Sequence, residues 1–497
     1  MEYALTASLI LSPTVLPLLI VSVFLVIWFG TRRPPGIPPG PPLTPILGNL
    51  MDIHGNDPQP LYKTLRDKFG NIFSLYVANQ LVVVLNGYDL IKTAFVKKAD
   101  AFSDRPPGHR VIEGQSRGIV TTSGSLWKQH RKFALITLRS FGFGKFSLEK
   151  NIQDEISIFL DAIGEEGKMN FDPRQIVHTS VSNVICSIVF GKRFQYNDPE
   201  FIAFMEISEA VLQKRSLPFV SFLKFLKYLP GDVMGVNVEE RANKKYVAFV
   251  TKMYNEHMET FDENNIRDYI DAFILEMKSA TENSQLGITF TSCQLIGEII
   301  DLFQAATDTT STIIRWALLY LIQHPEIQDR MRAEIKQIVG KDNTPSLTDR
   351  PDLQYCEATI MEVLRIASIA PIALPHYTSQ DTSLDGFHIP KSTIVIANID
   401  SVLNDPVLWN EPHKFHPERF LKADGSLEKP DEFIPFSIGR RVCLGESLAR
   451  MELFLFLTSM VQRFVFLMPD DEELPEMDGV TGITHSPHPF KIRVHKL

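Results

Sequence analysis

A mainly α-helical fold with a small β part, tethered by a single N-terminal transmembrane helix, is the architecture the sequence predicts. Three observations predict it. No charged residue falls between Tyr3 and Thr31, and "LPLLIVSVFLVIWFG" within that span is almost wholly apolar. From about Lys145 to His376 the apolar residues recur at helical spacing in long segments joined by short loops. Alternating, β-branched stretches are short and confined to the region before Ile91 and the region after Pro375.

The first 31 residues are long enough to cross a hydrocarbon core of roughly 30 Å as one helix. Arg32 and Arg33 follow at once, which orients the rest of the chain to the cytosolic side. A cleaved signal peptide would carry a basic residue before the apolar run and small residues after it. Here Glu2 precedes the run, and Trp28 and Phe29 end it. An uncleaved anchor over residues 1–31 is therefore expected, with membrane lipids as partners. Residues 32–48 include "PPGIPPGPPLTPILG", whose prolines fix φ and remove donors, so a stiff spacer is expected there. Residues 49–497 then form one large catalytic body, without internal repeats.

Within that body, "NIFSLYVANQLVVVLNGYDLI" reads as two strands around a turn at Ala78–Gln80, then a helix start. "HYTSQDTSLDGFHIPKSTIVIANI" reads as short strands with turns at Asp385–Gly386 and Pro390–Lys391. A helix runs from near Leu444 to about Phe464, and "GVTGITHSPHPFKIRVHKL" reads as a final hairpin.

The chain has 497 residues, 44% hydrophobic and 22% charged, which suits a globular protein with a large core. Its net charge of -9 argues against general binding to a phosphate backbone, so no nucleic-acid partner is expected. The four cysteines, Cys186, Cys293, Cys356 and Cys443, show neither zinc spacing nor a disulfide framework. A reducing compartment fits them.

Cys443 stands apart from the other three. It lies in "FSIGRRVCLG", with Gly439 and Gly445 flanking it and Arg441 two residues before it. A thiolate is a strong iron ligand, and backbone N–H groups must hold its charge. Glycine lets the backbone pass close to a flat cofactor, and Arg441 can reach an anionic group at the cofactor's edge. The helix that follows places its N-terminus where it favours a thiolate.

"FSIGRRVCLG" resembles the haem-binding signature of the cytochromes P-450, matching at Phe436, Gly439, Arg441, Cys443 and Gly445. The resemblance implies the cytochrome P-450 fold, haem b (iron protoporphyrin IX) ligated by Cys443, and O2 as co-substrate. It also implies electrons from NADPH through a separate NADPH-cytochrome P-450 reductase, with cytochrome b5 as a further partner. The sequence itself holds no G-x-G-x-x-G dinucleotide fingerprint.

Other motifs extend the resemblance. Glu362 and Arg365 in "EVLR" share a helix face, and Arg419 in "FHPERF" matches the third member of the family's Glu–Arg–Arg triad, a structural lock. Trp127 and Arg131 in "WKQHR" are four apart on one helix face, and in this family such a pair contacts a haem propionate. By the same resemblance Arg105 and His376 join Arg441 around the propionates. The apolar stretch "DLFQAATDTTSTIIRWALLYLIQH" carries Asp308 and Thr309 at its middle, where an acid is costly unless paired or wet. It is similar to the family's A-G-x-D/E-T-T, which implies that Thr309 supports oxygen activation and Asp308 delivers protons. The sequence departs from that pattern at Ala306, where glycine is common, and has Gln304 near the expected pocket.

The matching stretches "WKQHRKFALITLRSFGFGK" and "IIDLFQAATDTT" are similar to the animal microsomal family 2. "YCEATIMEVLRIASIAPIALPH" and "FIPFSIGRRVCLGESLARMELFLF" are most similar to its subfamily U, which is associated with hydroxylation of long-chain fatty acids such as arachidonate near the methyl end. The resemblance places the protein in the endoplasmic reticulum membrane. It assigns Phe303, Ala305 and Ile372 to a lipophilic substrate pocket, together with Ala373, Leu374, Ile483 and Thr484. Arg110 or Arg117 would then pair with a substrate carboxylate. Lys128, Lys132, Arg139, Lys145 and Arg440 would form a basic patch for the reductase. A steroid or xenobiotic would suit the same apolar pocket. A peroxide isomerase or lyase needing no external electrons, and a non-catalytic haem-binding membrane protein, are the remaining alternatives.

Overall fold

The computed structural model describes residues 32–53, 58–107, 111–112, 115–212, 236–282 and 289–497, with Pro17, Val21, Ser22, Phe24 and Leu25 before them. The expected anchor thus lies almost wholly outside the described residues. Among the described residues no helix is long and apolar enough to cross a membrane.

The proline-rich stretch lies against the body from Gly36 onward. Ser74 N donates to Pro39 O at 2.7 Å and His388 N to Gly36 O at 2.7 Å. Proline carbonyls are free acceptors, so a segment poor in N–H donors can still be fixed by donors from a neighbour. Ser74 Oγ adds a bond to Pro38 O at 2.6 Å.

The helices that build the body are Pro58–Phe69 (α1), Gly124–Ser140 (α2), Glu149–Glu166 (α3), Arg174–Val189 (α4) and Pro199–Leu212 (α5). They continue with Val236–Thr260 (α6), Tyr269–Glu282 (α7), Ser292–Gln323 (α8), Pro325–Ile338 (α9), Gln354–Ala367 (α10) and Glu446–Arg463 (α11). Helix α8 has 32 residues and is buried on nearly every face, which is what an all-round apolar sequence demands. The Thr291 side chain caps its start by accepting from Gln294 N.

The β part is small. Ile72–Val77 (β1) and Gln80–Asn86 (β2) form the predicted hairpin, its turn at Ala78 with φ 52°. His376–Tyr377 (β3), Thr382–Leu384 (β4), Phe387–Ile389 (β5) and Ile394–Asn398 (β6) follow. A four-stranded sheet runs β1-β2-β6-β3, with β2 and β6 parallel. Phe464–Leu467 (β7), Val480–Thr481 (β8), His485–Ser486 (β9) and Arg493–Lys496 (β10) come last, and Val111–Ile112 pairs with Gln115–Ser116 in a separate two-stranded ladder.

The tail differs from the expected single hairpin. β8 pairs with β9, while β10 leaves to pair with β7. Pro487 and Pro489 stop the ladder after Ser486, and the last strand finds the free edge next to α11 instead.

Candidate functional site

The cysteine loop is a tight return of the backbone. Cys443 N donates to Phe436 O at 3.1 Å, and between them Ser437 (φ 61°) and Gly439 (φ 84°) take left-handed conformations. A Cβ on Gly439 would lie 2.2 Å from the Phe95 carbonyl oxygen. Glycine is required there by the protein's own packing against Phe95. At Gly445 a Cβ would meet only Cys443 Sγ, at 4.0 Å. Phe436 lies half-buried under Arg450, whose guanidinium carbon sits 5.0 Å from its ring centre.

The Cys443 thiol is exposed, yet burial pushes its pKa up. Both hold when a group faces a cavity inside the protein. Backbone hydrogen bonds from Gly445 and Glu446, the first residues of the helix end, and the charge of Arg131 act in the opposite direction by favouring a thiolate.

Around the cysteine the structure gathers cations. Arg131 Nη2 donates to Val442 O at 2.6 Å. Arg441 donates to Ser103 O at 2.8 Å, Ile119 O at 3.1 Å and Thr122 O at 2.6 Å. Its guanidinium carbon lies 3.8 Å from the centre of the Trp127 ring. Arg105 donates to Val120 O, Leu374 O and Pro375 O. Every one of these acceptors is a neutral carbonyl. Burial, then Arg105 and Arg131, depress Arg441 to about 8. Burial and Arg131 bring Arg105 to about 10. Arginine holds its proton at such sites, so the depression registers buried positive charge crowded by other cations, with Asp104 acting the other way on Arg441. Trp127 Nε1 is buried with no acceptor. Three guanidinium groups and an orphaned indole N–H beside a cysteine are a seat for a dianionic group, and the two propionates of haem fit it.

His376 is buried in β3, stacked on Phe95 with ring centres 3.8 Å apart. Its Nδ1 contacts Phe102 O at 2.6 Å. Burial, followed by Arg105, holds its pKa well below the usual histidine value, so it is neutral here.

Helix α8 passes this region unbroken. Ala305 is exposed although Phe303, Gln304, Thr307 and Asp308 around it are buried. An exposed alanine at the middle of a buried helix marks the wall of an internal cleft. Thr309, one turn on, is half-buried, and its hydroxyl donates back to Ala305 O at 2.7 Å. Asp308 is turned away from that wall, and its Oδ2 accepts from Thr484 Oγ1 at 2.9 Å.

The expected pocket residues divide. Ala305 and Leu374 are exposed, and Ile372 and Ile483 are partly buried. Ala373 and Thr484 are buried. Phe303 is fully buried in an aromatic cluster, 4.7 Å from Phe204 and within 6.4 Å of Phe190 and Phe201. Its ring joins α8 to α4 and α5 rather than facing the cleft. Arg110 lies outside the described residues. Arg117 Nε is buried with no acceptor.

The expected triad is assembled. Arg365 Nε and Nη2 donate to Glu362 Oε2 and Oε1 at 2.8 and 2.9 Å, and Arg419 Nε to Glu362 Oε1 at 3.0 Å. His416 N gives Oε1 another donor at 3.0 Å. Arg365 also reaches Leu403 O and Pro412 O, and Arg419 reaches Asn410 O. The segments around α10 and the "FHPERF" turn are thereby locked together, with every charge answered.

Sequence reasoning missed the clamp on the loop before α2. Asp301 Oδ2 accepts from Ile119 N at 2.7 Å and Val120 N at 2.8 Å. The carbonyls of those same two residues hold Arg441 and Arg105. Gln294 bonds both Gly118 O and Glu298, and Glu298 accepts from Tyr269 and lies 2.6 Å from His130 Nδ1. Glu298 and Asp301 carry the signal that singled out Asp308, an acid inside an apolar helix. Lys128, Lys132, Arg139 and Lys145 are exposed on and just after α2, as is Arg440, which pairs with Asp100. Arg131 ties that helix to the cysteine loop.

Comparison with known proteins gives one consistent answer. A family model described as Cytochrome P450 matches residues 38–494. Cytochrome P450 2U1 of Bos taurus is 40% identical, covering 96% of this chain and 93% of that protein. Cytochrome P450 2D14 of Bos taurus is 39% identical over 93% of each chain. Cytochrome P450 2H2 of Gallus gallus is 39% identical over 97% of this chain and 98% of its own.

Proposed function

Because this chain is a member of the cytochrome P450 family, a haem b monooxygenase fed by O2 and by electrons from NADPH through a reductase, we propose that it hydroxylates long-chain fatty acids near the methyl end. The observation that carries the proposal is the position of Arg117. A Cβ added to Gly297 would lie 2.8 Å from Arg117 Cβ. Gly297, Asp301 and Ala305 follow at intervals of four on α8, so two helical turns, roughly 12 Å, separate the arginine's station from the cleft wall. A carboxylate at one end and an apolar tail at the other would suit an arginine beside one turn of α8 and an apolar wall further along it. The resemblance to subfamily U points the same way.

The residues divide the work. Cys443 would ligate the haem iron, with the Gly445 and Glu446 N–H groups favouring its thiolate. Arg105, Arg131, Arg441 and Trp127 would hold the propionates. When bound, the haem supplies the redox chemistry that splits O2 and inserts one atom into a C–H bond. Splitting O2 to water and an alcohol consumes two protons, and Asp308 with Thr309 is the pair assigned to hand them in. Residues 1–31 are assigned as the anchor in the endoplasmic reticulum membrane, 32–48 as its proline-rich connection and 49–497 as the catalytic domain. Cytochrome b5 is a second electron partner in this reading.

Reduced, carbon-monoxide-bound spectra of the wild type and Cys443→Ser come first. A red-shifted thiolate Soret band lost in the variant is expected. Arachidonate incubated with reductase and NADPH should then give alcohols near the methyl end by mass spectrometry. Thiolate spectra without any fatty-acid product would leave the family standing and overturn the substrate.

A further inference from the structure

We infer that Thr484 is a positioning residue for Asp308, holding the acid in a withdrawn orientation from which it must swing to reach the cleft. The inference rests on the proton-delivery role assigned above. Both side chains are nearly sealed from solvent, Asp308 at 4% and Thr484 at 5% exposure, and the bond between them is 2.9 Å. The open side of α8 lies at Ala305 and Thr309. Asp308 precedes Thr309 by one residue, about 100° around the helix, so its carboxylate does not share that open side.

The hairpin that carries Thr484 is held firmly. His485 N donates to Ile369 O at 2.8 Å, and Trp316 Nε1, from α8 itself, donates to His485 O at 2.9 Å. His485 Nδ1 contacts Ala367 O at 2.8 Å. Gly482 N closes the turn on Thr484 O at 2.9 Å. A Cβ on Gly479 would lie 2.9 Å from the Trp316 ring. The hydroxyl of Thr484 is therefore fixed relative to α8, two turns from the tryptophan that anchors its own hairpin. A donor so placed selects one rotamer of the acid.

The test uses the holoenzyme with its reductase, in wild type, Thr484→Val, Thr484→Ser, Asp308→Asn and the Val/Asn double variant. A hydrogen bond to the ionised carboxylate lowers its pKa, so Thr484→Val should move the pH profile of product formation upward by about one unit. The share of NADPH electrons released as hydrogen peroxide should rise severalfold. Thr484→Ser should restore the wild-type profile. Adding the valine to Asp308→Asn should change neither readout further. Urea unfolding midpoints provide a readout apart from turnover, and the two substitutions should be non-additive there. A wild-type pH profile in Thr484→Val beside an altered one in Asp308→Asn overturns the inference and spares the proton-delivery reading. An unaltered profile in Asp308→Asn overturns both. Additive unfolding midpoints overturn the bond itself. Should the valine variant fail to hold haem, Thr484→Ala makes the same comparison.

Discussion

The guanidinium carbon of Arg441 lies over the indole of Trp127, 3.8 Å from the ring centre, although the two residues are 314 positions apart in the chain. The ring contact orients the cation, and three backbone carbonyls take its donors. Replacing Arg441 with Leu should weaken haem retention by at least tenfold, read as the rate of haem transfer to an acceptor apoprotein. Trp127→Phe keeps the stack but removes the orphaned N–H, so its effect should be smaller, about threefold. Equal retention by all three proteins would refute the assignment of this cluster to the propionates.

Glu362 receives four donors and is fully buried. Glu362→Gln removes its charge while leaving Arg365 in place. Breaking a buried pair in this way costs about 3–5 kcal/mol. The expected outcome is protein that fails to hold haem at 37 °C, with a urea midpoint far below wild type. A change of less than about 1 kcal/mol would mean that Arg365's carbonyl partners suffice without the acid.

Arg117→Leu should weaken the fatty-acid-induced spectral shift about tenfold while leaving the shift caused by a neutral lipophile unchanged. Equal loss for both ligands would show that the arginine shapes the loop and does not read the carboxylate.

The exposed cations on α2 make a prediction about electron entry. Lys132→Glu combined with Arg139→Glu should slow the first reduction by the reductase about tenfold at low salt, and the gap should close as salt rises. These two are better targets than Arg440, which already pairs with Asp100. Reduction rates that match wild type at every ionic strength would place docking elsewhere.

His257 gives a pH dependence. Its two ring nitrogens contact Met253 O at 2.7 Å and Asp268 Oδ2 at 2.8 Å. Burial disfavours the cation, but the hydrogen bond and charge of Asp268 outweigh it, and the pKa is raised. A raised folded pKa contributes stability that is complete below the unfolded value of about 6.5 and is lost as pH climbs through the folded one. The urea midpoint should fall over that window in the wild type. In His257→Gln it should be flat there, with an unfolding free energy at pH 6 lower by about 1–3 kcal/mol.

The family was legible from one short run, because "FSIGRRVCLG" packs its information into ten neighbouring residues. The helical body and the β1–β2 hairpin were legible for the same reason, since hydrophobic period and turn chemistry act within a few residues. So were Glu362 and Arg365, three apart on one helix face. What the residues at Gly439 and Phe303 do was not legible. A glycine beside a cofactor and a glycine under a carbonyl of Phe95 look identical in sequence, and a phenylalanine in a cleft cannot be told from one in a cluster. Only the folded chain brings Phe95 to residue 439, or Phe190, Phe201 and Phe204 to residue 303.

The same division explains the acids of α8. That each of Glu298, Asp301 and Asp308 needs a partner follows from their place in an apolar helix. Which partner each takes does not. Asp301 takes two amides from a loop 181 and 182 residues earlier, and Asp308 a hydroxyl 176 residues later. Composition and local pattern decide which groups must be satisfied, because desolvation is a property of the residue and its helix. Tertiary packing decides what satisfies them, because hydrogen bonds are short and directional, and only the fold sets distances between remote parts of the chain.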